Sequence, residues 1–172
     1  MSTQHIPARR AFLRNTLGLA AAGAGGGLLA SHTVYAKETS KAFEIIKTDK
    51  EWLAQLGPDR YKILREESTE RPGTSALLKE KREGTYHCAG CDLPVYSSKT
   101  KYESGTGWPS FYDALPNAIG TREDRKLIFS VRTEVHCRRC GGHFGHVFDD
   151  GPKPTGKRHC LNGLAITFKP VA

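Results

Sequence analysis

The most regular pattern of hydrophobic and polar positions lies in residues 126–137. Apolar and polar side chains alternate there in the order Phe129, Ser130, Val131, Arg132, Thr133, Glu134, Val135 and His136. Since successive side chains of a strand point to opposite faces, this period of two predicts a β-strand. The set that includes Val135 is expected to face the core, and the set that includes Glu134 is expected to face water.

Residues 160–168 show the same alternation, with Leu164, Ile166 and Phe168 on one face, which predicts a second strand. From Gly84 onward, short runs of β-branched and aromatic residues are separated by Gly, Pro and Asp. This texture is typical of strands joined by turns. We therefore expect a mainly β domain in which most strands pair in the antiparallel direction.

Helical patterns lie on the N-terminal side of these strands. Residues 48–56 combine a capping threonine or aspartate, an early acid and an apolar face, and Gly57 and Pro58 should end that helix. Residues 59–67 show a similar pattern, which predicts a second short helix. Residues 76–78 are expected to form a brief turn packed against the core.

The first part of the chain, residues 1–36, has the pattern of an export signal. Arg9 and Arg10 precede Phe-Leu, residues 16–30 consist almost wholly of Leu, Ala and Gly, and Ala36 ends a cleavage-type motif. The apolar stretch is shorter than the roughly 20 residues that span a bilayer. The paired arginines resemble those of twin-arginine signals, although an uncleaved membrane anchor remains an alternative.

Cleavage after Ala36 would give a periplasmic protein with no stable membrane association. Residues 37–47 are polar with little periodicity and are expected to be a linker, and residues 48–170 are expected to form the functional domain. A twin-arginine signal implies export of a folded protein, which would suit a domain that must bind a metal before it crosses the membrane.

Composition and charge argue against one broad class of partner. The chain has 172 residues, 38% of them hydrophobic and 26% charged, as expected for one soluble domain with an appendage. Its formal net charge of +8 is partly due to the signal. Acidic and basic residues are mixed in the rest, as at residues 79–83, so we do not expect binding to nucleic acid.

The five cysteines divide into two Cys-x-x-Cys pairs and one single residue. The pairs are Cys88 with Cys91 and Cys137 with Cys140, and the fifth is Cys160. Two such pairs can complete a tetrahedral site, for which zinc is the best candidate and iron a weaker one. Two disulfides are the competing interpretation in an oxidising compartment. Because a four-thiolate site has no open position, its expected role is structural.

Cys160 and its neighbours have a different pattern. Arg158 and Asn162 lie two positions away on either side, where the strand period places them on the same face as the thiol. A nearby cation favours the thiolate, and an amide could fix a substrate oxygen. An inert buried thiol is the alternative for Cys160 considered alone.

His143 and His146 lie between the second cysteine pair and Cys160. Their spacing suits catalysis, a second metal site or burial as hydrogen-bonded core residues. Upstream, residues 104–111 place glycines on both sides of Thr106 and a proline after Trp108. Trp108 could be a buried core residue, or it could form an apolar wall for a methyl or thioether group.

Four motifs in this order resemble the methionine-R-sulfoxide reductase family, which is specific for the R epimer. They are Cys-x-x-Cys, Ser-Gly-Thr-Gly-Trp-Pro-Ser-Phe, Cys-x-x-Cys-x-x-His-x-Gly-His-Val-Phe-Asp-Asp-Gly-Pro and Arg-x-Cys-x-Asn. The resemblance implies two antiparallel sheets, a structural zinc ion on the four paired cysteines and Cys160 as the nucleophile. It also implies that Trp108 forms the pocket wall and that His143 and His146 are polar groups for catalysis or substrate orientation. Arg158 and Asn162 are implied to lie beside the thiol.

The sequence departs from the family pattern at three positions. Many relatives have a resolving cysteine where this chain has Thr106, and the chain has no sixth cysteine to replace it. An external small thiol or a thioredoxin-like partner is therefore expected to regenerate Cys160. His159 and Gly163 replace an aromatic residue and a serine of relatives, which could alter the pocket.

Two other function classes account for part of these features. A non-enzymatic zinc module would explain the four paired cysteines, but it would leave Cys160, Arg158 and Trp108 without a role. The second alternative class is a redox switch in which Cys160 displaces a zinc ligand. The expected substrate is methionine-R-sulfoxide in proteins or peptides, since an exported enzyme would meet damaged proteins, and a monomer is expected.

Overall fold

Nine β-strands, one α-helix and three short 3-10 turns make up most of the computed structural model, which describes residues 43–127 and 130–171. The predicted signal and the first part of the predicted linker lie outside these residues. Within the described ranges, no helix is both long and apolar enough to cross a membrane. The strands are β1 (Gly84–Cys88), β2 (Pro94–Ser97), β3 (Lys101–Tyr102), β4 (Ser110–Phe111), β5 (Ile119–Leu127), β6 (Ser130–Cys137), β7 (His143–Phe148), β8 (Arg158–Leu161) and β9 (Ile166–Pro170).

The strands form two antiparallel sheets, which confirms the predicted fold class. The smaller sheet has the order β2-β1-β9, and the larger one has the order β3-β4-β8-β7-β6-β5. Buried side chains from both sheets share one core cluster, which includes Tyr86, Tyr96, Phe111 and Phe144. Tyr86 and Phe111 come from different sheets and pack edge to face, with ring centroids 4.9 Å apart.

The helix α1 (Asp49–Glu66) contains both predicted helical segments. The Thr48 hydroxyl accepts a hydrogen bond from the Glu51 amide, and the Glu51 carboxylate accepts one from the Thr48 amide, a capping box. At Gly57 the backbone leaves the helical conformation, with φ 70° and ψ 169°. Glycine adopts this conformation without the Cβ clash of other residues, so the helix is kinked where the sequence predicts a break.

The described end of the predicted linker contacts the domain. The Ile45 amide donates a hydrogen bond of 3.1 Å to the Arg139 carbonyl, and the Phe43 ring packs edge to face on His136 at 5.5 Å. The 3-10 turn Ala76–Lys79 confirms the brief turn predicted there, and Leu77 packs against the core.

The strand predicted over residues 126–137 begins later than expected, and its faces are partly reversed. β5 continues to Leu127 and β6 starts at Ser130, and the two strands pair with each other, so the predicted strand covers parts of two strands. Phe129, which was included in the predicted alternation, lies outside the described residues. Glu134, expected to face water, is only 2% exposed, whereas Val131, expected to face the core, is 58% exposed. The assignment is confirmed for Val135, which is fully buried, and wrong for Val131 and Glu134. Glu134 is buried because it forms polar contacts with a neighbouring strand.

The single strand predicted over residues 160–168 is wrong, because the structure divides this segment between the two sheets. A 3-10 turn, Gly163–Ala165, separates β8 from β9. The Gly163 amide donates a 2.6 Å hydrogen bond to the Glu70 carboxylate, and a Cβ at this position would lie 1.9 Å from the Ser75 hydroxyl oxygen. Gly163 is thus packed closely against Glu70 and Ser75 at the point where the chain passes from the larger sheet to the smaller one.

Candidate active site

The two Cys-x-x-Cys pairs meet in one cluster, as the sequence predicts. Cys88 ends β1 of the smaller sheet and Cys137 ends β6 of the larger one, and Cys91 and Cys140 lie in the turns that follow. All four sulfur atoms lie within 4.8 Å of one another. The cluster therefore joins the two sheets at the ends of these strands.

The geometry of this cluster suits a metal with four thiolate ligands. The Cys88 and Cys140 sulfurs are 3.7 Å apart, and the Cys91 and Cys137 sulfurs are 3.4 Å apart. Four sulfurs at about 2.3 Å from a central zinc ion would be separated by about 3.8 Å, whereas a disulfide needs about 2.05 Å. All five cysteines are free, so the structure does not contain the disulfides of the competing interpretation.

The hydrogen bonds among the four thiols act in opposite directions. They lower the pKa of Cys91 and of Cys137, and they raise the pKa of Cys88 and of Cys140. The Gly90 amide also donates to the Cys88 sulfur at 3.4 Å. Because metals bind the deprotonated sulfur, a metal ion bound by all four sulfurs would replace the protons that they share.

Cys160 lies in a separate cavity of about 230 Å³, whose walls include Trp108, His146 and Asn162. The strand register explains this arrangement, since Cys160 of β8 lies directly opposite His146 of β7 and opposite Ser110 of β4. Side chains of directly opposed residues lie on one face of a sheet. The structure thus brings the lone cysteine, one of the two histidines and the predicted tryptophan wall together.

His146 is held by a carboxylate that the sequence analysis missed. Its Nε2 donates a 2.8 Å hydrogen bond to the Asp124 carboxylate, which also accepts a 2.6 Å bond from Arg132. Burial lowers the pKa of His146, and the hydrogen bond to Asp124 acts in the opposite direction. Asp124 therefore both orients the ring and supports its charged form.

His143 lies deeper, only 2% exposed, with its ring centroid 5.5 Å from that of His146. Its Nδ1 donates a 2.8 Å hydrogen bond to the buried Glu134 carboxylate, which Arg122 also contacts. Burial acts to raise the pKa of Glu134, but the hydrogen bonds from His143 and Arg122 bring it below its ordinary value. Each histidine is thus paired with its own carboxylate. The pair of His146 and Asp124 lies beside the cavity, and the pair of His143 and Glu134 lies in the interior.

Trp108 and Asn162 are both fixed by the backbone of Glu70. The indole Nε1 donates a 2.8 Å hydrogen bond to the Glu70 carbonyl, and the Asn162 amide oxygen accepts one of 2.8 Å from the Glu70 amide. The Asn162 nitrogen donates a 3.0 Å bond to the Phe144 carbonyl. Since both ends of the Asn162 side chain bind backbone groups, the side chain is fixed in orientation as part of the cavity wall.

Arg158 lies on the same strand as Cys160 and forms two 2.8 Å hydrogen bonds to the Asp150 carboxylate. Its guanidinium stacks over the Phe148 ring at 4.3 Å. The bonds to Asp150 raise the pKa of Arg158, and the charge of Cys160 contributes in the same direction. Arg158 is therefore a fixed cation within electrostatic reach of the thiol, as its sequence position predicts.

Comparison with known proteins places this site in a family. Residues 56–170 match the SelR domain. The chain is 46% identical over 127 residues to "Peptide methionine sulfoxide reductase MsrB" of Leptospira interrogans, covering 74% of this chain and 97% of that protein. The protein of the same name from Pseudomonas putida is 50% identical over 129 residues, covering 74% and 96%, and that from Methanosarcina barkeri is 49% identical over 123 residues, covering 72% and 87%.

The chain belongs to the MsrB family. This membership confirms the resemblance inferred from the four motifs. The cavity that holds Cys160 and the four-cysteine cluster both fall within the matched residues, whereas the predicted signal lies before them.

Against the MsrB pattern, Thr106 is the departure closest to the thiol. Its hydroxyl oxygen lies 3.8 Å from the Cys160 sulfur, so this chain has a hydroxyl group where many relatives have a second thiol. His159 faces away from the cavity, since it is 8% exposed and its Nδ1 lies 3.0 Å from the Tyr96 hydroxyl. Gly163 is in the 3-10 turn after β8. Of the three departures, only Thr106 contacts the sulfur.

Asp124 and Glu134, which bind the two histidines, are among the residues of the site that sequence reasoning did not identify. The register between β6 and β7 places Glu134 opposite His146. A signal was available in the alternation of β6, where Arg132 and Glu134 occupy one face. A polar face on a central strand, next to a strand with two histidines, indicates a site rather than a solvated surface.

Proposed function

We propose that this protein reduces methionine-R-sulfoxide in oxidised proteins to methionine, with Cys160 as the nucleophile. The observation that carries this proposal is the cavity shared by Cys160, His146 and Trp108 in a chain of the MsrB family. The test is incubation of the protein with dithiothreitol and with each epimer of a methionine sulfoxide peptide. Consumption of the R epimer alone supports the proposal, and no consumption of it overturns the proposal.

In the proposed reaction the Cys160 thiolate attacks the sulfoxide sulfur, which is electrophilic because its oxygen withdraws electrons. This attack forms a bond between the two sulfurs, and the sulfoxide oxygen takes up a proton. The oxygen then moves to the Cys160 sulfur as the substrate S–O bond and the bond between the two sulfurs break, which leaves Cys160 as a sulfenic acid and releases methionine. The substrate sulfur gains two electrons and the Cys160 sulfur loses two. Each turnover therefore leaves an oxidised cysteine that must be reduced.

His146 is the proposed acid for the oxygen. It lines the cavity opposite Cys160, and Asp124 holds its Nε2, so Nδ1 would carry the transferred proton. A histidine oriented by a carboxylate is a common arrangement for proton transfer. We assign His143 and Asn162 positioning roles, because their polar contacts are with Glu134 and with backbone groups.

Replacing His146 with asparagine should lower kcat about 10²–10⁴-fold, the usual contribution of a positioned acid or base. The measurement is steady-state reduction of the R-sulfoxide peptide. The matched control is His87→Asn, a histidine of the smaller sheet that pairs with exposed Asp92, and it should leave kcat unchanged. A kcat for His146→Asn within threefold of the wild type would contradict the assignment.

The substrate side chain is proposed to lie against Trp108. The indole is fixed at Nε1 by the Glu70 carbonyl, and Phe148 and Leu161 also line the cavity. Aromatic rings pack favourably against sulfur and its methyl groups. A fixed wall of this kind could distinguish the two epimers, since only one directs its oxygen towards the acid while its methyl group contacts the ring.

An external thiol or a thioredoxin-like protein is proposed to reduce the sulfenic acid. This proposal is supported by the hydroxyl of Thr106 beside Cys160 and by the four other cysteines, which lie together in the metal-type cluster. Mass spectrometry of protein oxidised by substrate without a reductant should find one added oxygen on Cys160. An internal disulfide that includes Cys160 would overturn this part of the proposal.

Zinc is the proposed occupant of the four-cysteine cluster. Four sulfurs at these separations match the ligand type and size that zinc prefers. When bound, the ion supplies a structural cross-link between the sheets, held by Cys88, Cys91, Cys137 and Cys140. The proposed sulfoxide chemistry uses none of these residues.

We also propose export to the periplasm by the twin-arginine route, on the basis of Arg9, Arg10 and the apolar stretch that follows them. Replacing both arginines with lysine should leave the protein in the cytoplasmic fraction of a bacterial host, with the signal uncleaved. The measurement is immunoblotting of cell fractions and the N-terminal sequence of the exported form. Equal periplasmic recovery of the double variant would rule out this route.

A further inference from the structure

A row of three hydroxyl side chains leads to the sulfur of Cys160. The Ser110 and Ser104 oxygens are 2.7 Å apart, the Ser104 and Thr106 oxygens are 2.9 Å apart, and the Thr106 oxygen lies 3.8 Å from the Cys160 sulfur. Within the described residues, Thr106 is the one group that is hydrogen-bonded to this sulfur. The row therefore ends on the reacting atom of the proposed mechanism.

The row is held rigidly by its surroundings. Ser110 lies on β4 opposite Cys160 and is 1% exposed, and the Thr106 amide donates a 3.4 Å hydrogen bond to the Ser104 hydroxyl. At Gly107 the backbone has φ 92°, and a Cβ would lie 2.8 Å from the Pro72 side chain. A residue with a side chain at Gly107 would thus displace the loop that presents Thr106.

Each hydroxyl has a single proton, so the direction of the row can be worked out. Ser110 donates a 3.1 Å hydrogen bond to the Trp108 carbonyl. Ser104 can then donate to Ser110, Thr106 to Ser104, and the Cys160 thiol to Thr106. In this direction every proton has an acceptor, and the arrangement satisfies the neutral thiol.

The same oxygens can also form a row that runs the other way. If the three hydroxyl protons rotate, Ser110 donates to Ser104, Ser104 donates to Thr106, and Thr106 donates to the Cys160 sulfur. No heavy atom has to move, and only the bond to the Trp108 carbonyl is lost. This direction gives an ionised Cys160 a hydrogen-bond donor, which stabilises the charged form.

We propose that Thr106 is a catalytic residue whose hydroxyl donates a hydrogen bond to the Cys160 thiolate, with Ser104 and Ser110 as positioning residues that orient it. This inference rests on the proposed function in taking Cys160 as the nucleophile. The position that holds a resolving thiol in many relatives thereby supports the first step of the reaction in this chain.

The charged and titratable groups around Cys160 have other hydrogen-bond partners or no hydrogen bond to its sulfur among the described residues, so the hydrogen bond to the thiolate is assigned to Thr106. His146 faces it from β7 and is bonded to Asp124, and Arg158 on its own strand is bonded to Asp150. Arg132 and Tyr102 are the remaining groups, from β6 and β3. All of them are unchanged when Thr106 is substituted, so a comparison of Thr106 variants isolates the contribution of the hydroxyl.

The experiment is alkylation of Cys160 by iodoacetamide over a series of pH values, followed by peptide mass spectrometry of the full chain. Alkylation requires the thiolate. Thr106→Val keeps the side-chain shape without the hydroxyl, and it should slow alkylation at neutral pH about tenfold and raise the midpoint by about one pH unit. Thr106→Ser should restore the wild-type profile, and Ser104→Ala should shift it in the same direction as Thr106→Val by a smaller amount.

The control is Thr121→Val, which removes an exposed hydroxyl from β5 and should leave the profile unchanged. Melting temperatures of all variants show whether the fold is kept, and Ser104→Ala supplies the test if Thr106→Val does not fold. A Thr106→Val profile that coincides with the wild type, or a Thr106→Ser profile that matches Thr106→Val, overturns the inference. Because alkylation involves no sulfoxide, either result leaves the reductase proposal standing, whereas that proposal fails only if the wild type does not reduce the R epimer.

Discussion

Replacing Cys160 with serine is expected to abolish reduction of methionine-R-sulfoxide while the fold and the metal content stay unchanged. A serine hydroxyl does not ionise near neutral pH, and oxygen is a poor nucleophile towards a sulfoxide sulfur, so the attack does not start. The substitution is nearly isosteric. Cys160 is half-buried on β8 and lies in a different cavity from the four-cysteine cluster, so the metal-type site should be unaffected.

The measurement is turnover of the R-sulfoxide peptide with dithiothreitol, together with zinc content and melting temperature. We expect a loss of more than about a thousandfold in kcat, because the covalent step cannot occur without the nucleophile. The matched control is Cys160→Ser beside the wild type with the S epimer, which neither protein should reduce. Reduction of the R epimer by the variant at a tenth of the wild-type rate would show that Cys160 is not the nucleophile.

This experiment also separates the enzyme from its two rivals. A non-enzymatic zinc module predicts no turnover by either protein. A redox switch, in which Cys160 displaces a zinc ligand, predicts that oxidised wild-type protein releases zinc and the variant does not. The structure places Cys160 in the cavity and the other four cysteines in the cluster. This separation argues against a switch in which Cys160 replaces a zinc ligand.

The cysteine sites could be predicted from the sequence because their chemistry is local. A Cys-x-x-Cys turn brings two sulfurs together whatever the surrounding fold, so Cys88, Cys91, Cys137 and Cys140 could be grouped by type and spacing alone. The remaining cysteine was then free for another role. The helical segments on either side of Gly57 were predictable for the same reason, since capping and kinking depend on a few adjacent residues.

The polar contacts of the site could not be predicted, because they depend on strand register. Alternation assigned Glu134 to the solvent face, but pairing with β7 places it opposite His146 and buries it against His143. Register is set by the whole sheet, and a shift of one residue would reverse every side chain. For the same reason, sequence spacing could not show that His146 lines the cavity while His143 lies in the interior.

The passage between the sheets was also hidden from the pattern. Residues 160–168 alternate as one strand would, yet the chain turns at Gly163, where the amide binds the carboxylate of Glu70, a residue distant in the sequence. Glu70 also fixes Trp108 and Asn162 through its backbone. The segment between α1 and the turn Ala76–Lys79, on which the sequence analysis made no prediction, therefore organises one wall of the candidate active site.

Replacing Cys137 with serine is expected to unfold most of the domain at ordinary temperatures. Cys137 is fully buried at the end of β6, and its sulfur lies beside that of Cys91, so the variant leaves three thiols around a position that four ligands should fill. The free energy of zinc binding by four such ligands is about 10–16 kcal/mol, and it is available only in the folded state. A domain of this size is stable by only about 5–15 kcal/mol, so loss of the metal can cancel its stability.

The measurement is the melting temperature and zinc content of Cys137→Ser, with Cys160→Ser as the control that alters a cysteine outside the cluster. The wild type treated with a strong chelator should lose its cooperative transition in the same way, and added zinc should restore it. Enzymatic activity should fall in step with the folded fraction, because the cluster does not line the cavity that holds Cys160. A Cys137→Ser protein that melts at the wild-type temperature but is inactive would instead require the cluster to take part in the chemistry.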